Sequence, residues 1–265
     1  MFHPDFISFL EANQFVQQAD SSQHWLHASS GLSILVLSSK GMKQIDLDAW
    51  ESWLRKFPKA WQIWEEDVNQ NPDLWKRQIL ARLHRTKSVF ARDTRIVSIS
   101  ADVARHFLDK NHVLGFSKGQ TYWGCVVPAH RQFRGITSEF EWEGCPLLAV
   151  AVFGKPMVMK EEGLEGLLSG ELIKLVTLPD IRLVGGLTKF LQAYHDMEPV
   201  HHVMTYIDLG SSSGKGFLSA GFRIVNQTPP MLFKMNSGKR MLVSSFEEAE
   251  QYSPGNLKLR YVYEN

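Results

Sequence analysis

From residue 94 onward, apolar and polar positions trace a regular series of short elements. Thr94–Ile99 (TRIVSI) alternates as a half-buried strand does, and Ser100-Ala101-Asp102 supplies a cap for a helix over Val103–Lys110. Tyr122–Val127 and Pro146–Phe153 are apolar runs of strand length. Leu172–Thr177 is another; a turn at Pro179-Asp180, the pair Gly185-Gly186 and a helix-forming run, Leu187–Tyr194, follow it. His201–Leu209 is again of β type. A polar Gly/Ser turn then opens into a short helix closing on Ala220-Gly221-Phe222, with strand-like pieces at Arg223–Val225 and Met231–Lys234. Phe246–Gln251 reads as helical and Leu257–Tyr263 as a final strand.

The first third of the chain shows its own α/β pattern. Pro4–Asn13 spaces Phe6, Phe9 and Leu10 as one helix face. His24–Ser38 reads as two strands around a Ser-Ser-Gly turn, the second being the apolar run Leu32–Leu37. Asp46–Phe57 is helical, started by Asp46 or Asp48, and Ala60–Trp64 is a short strand. A helix over Leu74–His84 begins behind Asn71-Pro72-Asp73, where the missing N–H of Pro72 costs nothing. The polar segment Arg85–Asp93 divides the two patterns. The expectation is a smaller α/β domain over residues 1–88 and a larger α/β domain over 89–265.

Composition narrows the class. Of 265 residues, 44% are hydrophobic and 22% charged, and eight Trp with sixteen Phe supply ample core surface. The formal charge of +1 excludes bulk polyelectrolyte behaviour, so any nucleic-acid contact must use a local patch. Arg131, Arg134, Lys155 and Lys160, with Trp123 and Phe133 near in sequence, offer such a patch; a scattered solvated set is the other reading. Cys125 and Cys145 fall in apolar strand-like runs and read as buried free thiols, too few for a disulfide framework or a zinc set. The N-terminus lacks a signal-peptide pattern and no apolar run approaches the roughly 20 residues of a membrane span, so a cytoplasmic protein without membrane contact is expected.

The chemistry is concentrated at the glycine pair. A strand that ends in glycines and opens into a helix leaves amide donors at the positive end of the helix dipole, where phosphate oxygens can be received. Gly185 and Gly186, with the N–H groups of Val184, Leu187 and Thr188, are the candidates, and Arg182 and Lys189 would bring positive charge. A turn that needs φ > 0, with two solvated cations, is the plainer alternative.

The order strand, Gly-Gly turn, helix, strand, short helix ending in Ala220-Gly221-Phe222, strand resembles the acyl-CoA-binding half of the GNAT superfamily of N-acetyltransferases. Arg182-Leu183-Val184-Gly185-Gly186-Leu187 matches its pyrophosphate signature at Arg182 and Gly185 and departs from it at Leu187. The resemblance implies a mixed central sheet with flanking helices in the larger domain, and acetyl-CoA or another acyl-CoA as cofactor. It also implies that Leu175, Val176 and Thr177 splay away from Met204–Tyr206 and pair with the pantetheine arm. The family's usual acid, a Tyr on the helix before the "GF" ending, is replaced by Phe217; a thiolate with a pKa near 8.5 needs little help to leave.

His112 and Asp208 are the substitutes offered for acid–base work. His112 ends a helix and enters a Gly/Ser/Lys loop; a base or a surface His favoured by the helix dipole both fit. Asp208 could orient a His or accept a proton, and could equally cap the Ser211–Ser213 turn. Tyr122 and Tyr206 read as core or cleft-wall aromatics. His201-His202 cannot easily ligate one metal, since neighbours on a strand face opposite ways, and GSSSGKG lacks a phosphate-loop frame because Gly216 follows Lys215. No metal site is expected.

A second resemblance is to phage and mobile-element proteins, the adenine-modifying Mom type among them, in which a GNAT-like domain can follow an endonuclease-type domain. Val89-Phe90-Ala91-Arg92, Lys110–Gly115, Arg182–Lys189 and Thr205–Asp208 carry it. Residues 24–45 hold no acidic residue, so an ancestral nuclease metal site would be gone and no nuclease activity is expected. The reading is an N-acyltransferase acting on an amine, with a nucleobase or other nucleic-acid-linked group as the candidate acceptor that this resemblance implies. Its rival is a non-catalytic nucleic-acid-binding module on the same framework.

Overall fold

The computed structural model describes residues 4–131, 138–236 and 239–263. The chain forms two compact units: Met1–Leu83 with Ile207–Gly214 and Gln227–Leu257, and His84–Tyr206 with Lys215–Asn226 and Lys258–Asn265.

In the first unit, α1 (Pro4–Ala12) precedes strands β1 (Phe15–Gln18), β2 (Ser21–His27) and β3 (Ser33–Leu37). Helices α2 (Ser39–Met42) and α3 (Leu47–Leu54) then lead to β4 (Trp61–Trp64), followed by α4 (Glu65–Gln70) and α5 (Pro72–Arg82). The sheet order is β1-β2-β3-β4, antiparallel except for the parallel β3–β4 pair. Ile34, Leu35, Val36 and Leu37 are all buried, because β3 has a core on each face. Caps fall where the polar residues promised them: the Asp46 carboxylate accepts from Ala49 N–H at 2.8 Å, and Asn71 Oδ1 from Leu74 N–H at 3.1 Å.

The second unit begins with β5 (Lys87–Phe90), a 3₁₀ turn at Ala91–Asp93, β6 (Arg95–Ser98) and α6 (Ala101–Asn111). Strands β7 (Thr121–Val126), β8 (Glu141–Trp142), β9 (Cys145–Phe153), β10 (Met157–Val158), β11 (Leu168–Thr177) and β12 (Ile181–Val184) follow. Then come α7 (Gly186–Met197), β13 (His202–Asp208), α8 (Lys215–Ser219) and β14 (Arg223–Gln227). The chain returns to the first unit for β15 (Met231–Asn236), β16 (Lys239–Val243) and β17 (Gln251–Ser253), and β18 (Asn256–Val262) closes the series.

The main sheet runs β14-β18-β13-β11-β9-β7-β6, with β8 and β10 as short additions. β6, β7, β9 and β11 each run antiparallel to the next and β11–β13 is parallel, crossing over through α7. A mixed central sheet with flanking helices is therefore the architecture, as the resemblance implied. Every side chain from Leu147 to Phe153 on β9 is buried, and Phe107, Leu108 and Ala104 of α6 pack into the same core as Val150, Val152 and Val176.

Four features depart from the sequence reading. The single cut near residue 88 is replaced by a chain that leaves the first unit after Leu83 and revisits it twice. Residues 227–257, expected to belong with the second domain, form the sheet β16-β15-β17; Leu232, Val243, Ala249 and Tyr252 join the core of Leu35, Leu37, Trp50 and Trp64. Phe246–Gln251 is turn and strand, not helix. The supposed polar divider holds β5, which pairs in parallel with β12 from Ile181↔Lys87 to Val184↔Phe90.

Candidate functional site

β11 and β13 face each other at only three pairs, Ser169↔His202, Gly170↔Val203 and Glu171↔Met204. Both strands then continue without pairing. The Thr205 hydroxyl, 2.8 Å from the Leu172 carbonyl, marks the last direct tie. A register shift between Leu172 and Lys174 against β9 bends β11 at the same point. Leu175, Val176 and Thr177 keep their pairing to β9 but have an open edge toward β13. Such an edge offers backbone donors and acceptors to an extended ligand.

The glycine turn lies beside this opening. Gly185 has φ +78° and stands as N-cap of α7, with no side chain to satisfy the first amides of the helix and no acidic residue in its first turn. Lys189 N–H is the first to bond back, to Gly185 O, which leaves Gly186, Leu187 and Thr188 as donors without an intrahelical partner. A cleft of about 540 Å³ is lined by Leu175, Thr177, Arg182 to Thr188, Gly216, Phe217, Ser219 and Ala220. It therefore gathers most of the residues that the sequence nominated for a diphosphate and pantetheine. Arg182 is exposed on its rim with no ion-pair partner among the described residues. Phe217 forms part of its wall, set edge-on to Phe222 at 5.3 Å. Val176 alone of the nominated β11 residues points into the core.

Lys189 is placed otherwise. Its ammonium donates to the carbonyls of Ala91 (2.6 Å) and Thr94, so its charge ties α7 to the turn after β5 and is not free for a phosphate. Asp208 is likewise engaged: Oδ1 accepts from Gly210 N–H at 2.9 Å and from the Ser253 hydroxyl at 3.1 Å, while its carbonyl receives Ser211 and Ser212 N–H. This is the turn-capping alternative in geometric form.

His112 ends α6 half-buried, its Nδ1 accepting Leu114 N–H at 3.1 Å. The sequence reading missed its neighbour. Lys174, on β11 at the bend, brings Nζ to 3.3 Å from His112 Nδ1 and donates to the Gly115 carbonyl. Burial holds the Lys174 amine down at about 8, against the pull of Asp109 in the other direction. A lysine inside an otherwise apolar strand run, ELIKLVT, was the available signal. Tyr122 is committed to the loop, its hydroxyl meeting Gly119 N–H (3.0 Å) and Gly119 O (3.2 Å). Tyr206, just past the split, is exposed.

Of the expected basic patch and its aromatics, Arg131 and Trp123 are each engaged within the chain. Arg131 is paired with Asp93 at 3.2 Å, and Trp123 is buried with its indole N–H on Thr121 Oγ1. Lys155 and Lys160 are exposed; Phe133 and Arg134 lie outside the described residues. Cys125 is buried, its thiol pushed up to about 11 by burial, and Cys145 is half-buried; both are free. Among the described residues there is no cluster of three or more metal-ligating side chains, and no helix is long and apolar enough to cross a membrane.

No family model and no curated relative matches the chain. Solved structures similar to it include the NatC complex bound to Gag peptide and CoA (10% identity, 65% of this chain, 99% of that one, TM-score 0.38). A ribosomal-protein-alanine N-acetyltransferase from Brucella melitensis is similar at 15% identity over 64% of this chain and 99% of its own, TM-score 0.35. A GNAT-family acetyltransferase from Desulfovibrio desulfuricans gives 11%, 64%, 98% and 0.35 in the same order. At these scores the likenesses bear no functional weight; the split strands and the cleft do.

Proposed function

We propose that this protein is an N-acyltransferase of the GNAT type, taking its acyl group from acetyl-CoA or another acyl-CoA. The observation that carries the proposal is the β11–β13 ladder, which stops at Glu171↔Met204 while both strands run on. The pantetheine arm would pair along the open edge at Leu175 and Thr177. The diphosphate would sit at the amides of Gly186, Leu187 and Thr188, with Arg182 supplying charge from the rim. Leu187, where the signature has a small residue, contributes its backbone, and backbone is what this contact requires.

The chemistry asks for little beyond positioning. The amine nitrogen of the acceptor forms a bond to the thioester carbonyl carbon, the carbon–sulfur bond breaks, and the electron pair leaves with the CoA thiolate. The nitrogen sheds one proton. The His112–Lys174 pair beside the bend is the acceptor we assign for it, since an amine poised near 8 is available in neutral form close to physiological pH. Phe217 cannot protonate the thiolate, which departs as such. Asp208 holds its turn and has no part in the step.

The acceptor is an amine. A nucleobase amine is the class that the resemblance to phage proteins suggests, and transfer of labelled acetyl to single-stranded oligonucleotides tests that choice. Thermal shift tests the cofactor: a ligand held only by the folded state at a hundred times its Kd adds about 2.7 kcal/mol. Acetyl-CoA should raise Tm. A shift with oligonucleotides and none with acetyl-CoA would favour the non-catalytic nucleic-acid module.

A further inference from the structure

The glycine turn is a wall between two recesses. Val184, Gly185 and Thr188 line the cleft described above and also a second, open recess of about 520 Å³, completed by Phe90, Ala91, Arg92, Lys189 and Gln192. The two recesses thus meet at the turn that would hold the diphosphate. The first recess runs toward the open strand edge. Nothing so far accounts for the second.

The second recess is built with care by segments far apart in sequence. Parallel pairing of β5 with β12 sets Phe90 beside Val184, the residue before the turn. Phe90 is 45% exposed, a large ring left facing solvent, and the Arg92 guanidinium lies over it, 4.8 Å from the ring centroid. Lys189 fixes this arrangement through its bonds to the carbonyls of Ala91 and Thr94, on either side of Arg92. An arginine already stacked on an exposed ring presents a flat, cationic, sequence-tolerant platform of the kind that purine bases stack on. Thr188 and Gln192, one turn apart on α7, offer polar groups along the opposite side.

We propose that the Phe90–Arg92 platform receives the adenosine end of acyl-CoA, stacking the purine while the diphosphate crosses Gly185. This rests on the acyl-CoA reading above and extends it to a nucleotide subsite supplied by the segment that precedes β6. The subsite accounts for a large aromatic left 45% exposed, and for a half-buried lysine amine tied to two carbonyls.

Calorimetry separates the subsite from the reading beneath it. The ligands are acetyl-CoA and S-acetyl-phosphopantetheine, which keeps the thioester arm and one phosphate but lacks the adenosine. The proteins are the wild type and the double variant Phe90→Ala, Arg92→Ala, whose unchanged Tm shows that it folds; both side chains are exposed. Loss of one stacked base is expected to weaken acetyl-CoA binding by about tenfold in the variant, with affinity for S-acetyl-phosphopantetheine unchanged. Acetyl-CoA binding equally well to both proteins would overturn the subsite and leave the acyl-CoA reading standing. Equal weakening of both ligands would also overturn it, by showing a distortion of the glycine turn. Failure of the wild type to bind either ligand would overturn the acyl-CoA reading and the subsite together.

Discussion

Lys174 Nζ lies 3.3 Å from His112 Nδ1, joining the bend of β11 to the C-terminal end of α6. Neither residue lies next to the other's element in sequence, and only the return of β11 through the middle of the sheet brings them together. The same ring nitrogen accepts Leu114 N–H, so the neutral imidazole carries its proton on Nε2. The Lys174 amine, held down at about 8 by burial, changes charge near neutrality, and two measurable consequences follow from its position.

The first concerns pH and stability. The Lys174 amine titrates near 8 in the folded chain, below its ordinary 10.5, because burial disfavours the charge. Below pH 8 both folded and unfolded states are protonated and the cost of burying the charge is present in full. From about 8 to 10.5 the unfolded state holds the extra proton, so this group makes stability rise with pH across that window. Thermal melts of wild type and Lys174→Met from pH 7 to 10 should differ in slope, with the upward contribution missing from the variant. Parallel curves would mean that the amine is not perturbed.

A kinetic counterpart is expected. Wild-type turnover should climb through pH 8 as Lys174 becomes neutral, and Lys174→Met should lower turnover about a hundredfold and abolish that climb. His112→Ala should lower turnover with acetyl-CoA affinity intact. Wild-type turnover in both variants would remove the pair from the reaction.

Gly185 has φ +78°, a left-handed conformation that costs a residue with Cβ about 1–2 kcal/mol. Added at Gly185, a Cβ would only touch Ala91 Cβ at 3.7 Å, so space is not the obstacle. Gly185→Ala should therefore lower Tm modestly and weaken acetyl-CoA by tilting the amides, whereas Gly185→Asn should be milder because Asn tolerates this conformation. Gly186 differs: a Cβ there would lie 2.5 Å from Leu183 Cδ2, so Gly186→Glu should disturb packing and binding together. Calorimetry beside thermal melts distinguishes the two positions.

Arg182 and Lys189 look alike in the sequence and should behave as opposites. Arg182→Glu, on an exposed and unpaired side chain, should leave Tm unchanged and weaken acetyl-CoA about tenfold, by about 1.4 kcal/mol, with a shallower salt dependence. Lys189→Met leaves the Ala91 and Thr94 carbonyls without their charged donor, a loss of about 1.5–3 kcal/mol that should appear in Tm. Reversal of this pattern would place Lys189 at the phosphates after all.

The elements were legible where one face or both are buried and local spacing suffices. The strand alternation of TRIVSI and the unbroken apolar run of β9 each identify a piece of the main sheet as it stands, and the Ser100 cap and the glycine pair mark the starts of α6 and α7. β5 was missed because Lys87 and Ser88 are exposed and only Val89 packs inward, so no two-residue rhythm survives. Residues 227–257 were assigned to the wrong unit, since Leu232 and Val243 find their core partners near residues 35 to 64. The role of Lys189 is invisible to any local pattern: its carbonyl partners lie 98 and 95 positions away. Asp208 read as chemistry or as a cap with equal right, and only the Ser253 hydroxyl and Gly210 N–H show which groups it holds.

Amide hydrogen exchange with and without saturating acetyl-CoA reads the open strand edge itself. Slowed exchange at Leu175, Thr177 and Gly186 to Thr188, with little change along the fully paired β7, is the expected result. Unchanged exchange at those amides in the presence of the thioester would contradict an acyl-CoA site between β11 and β13.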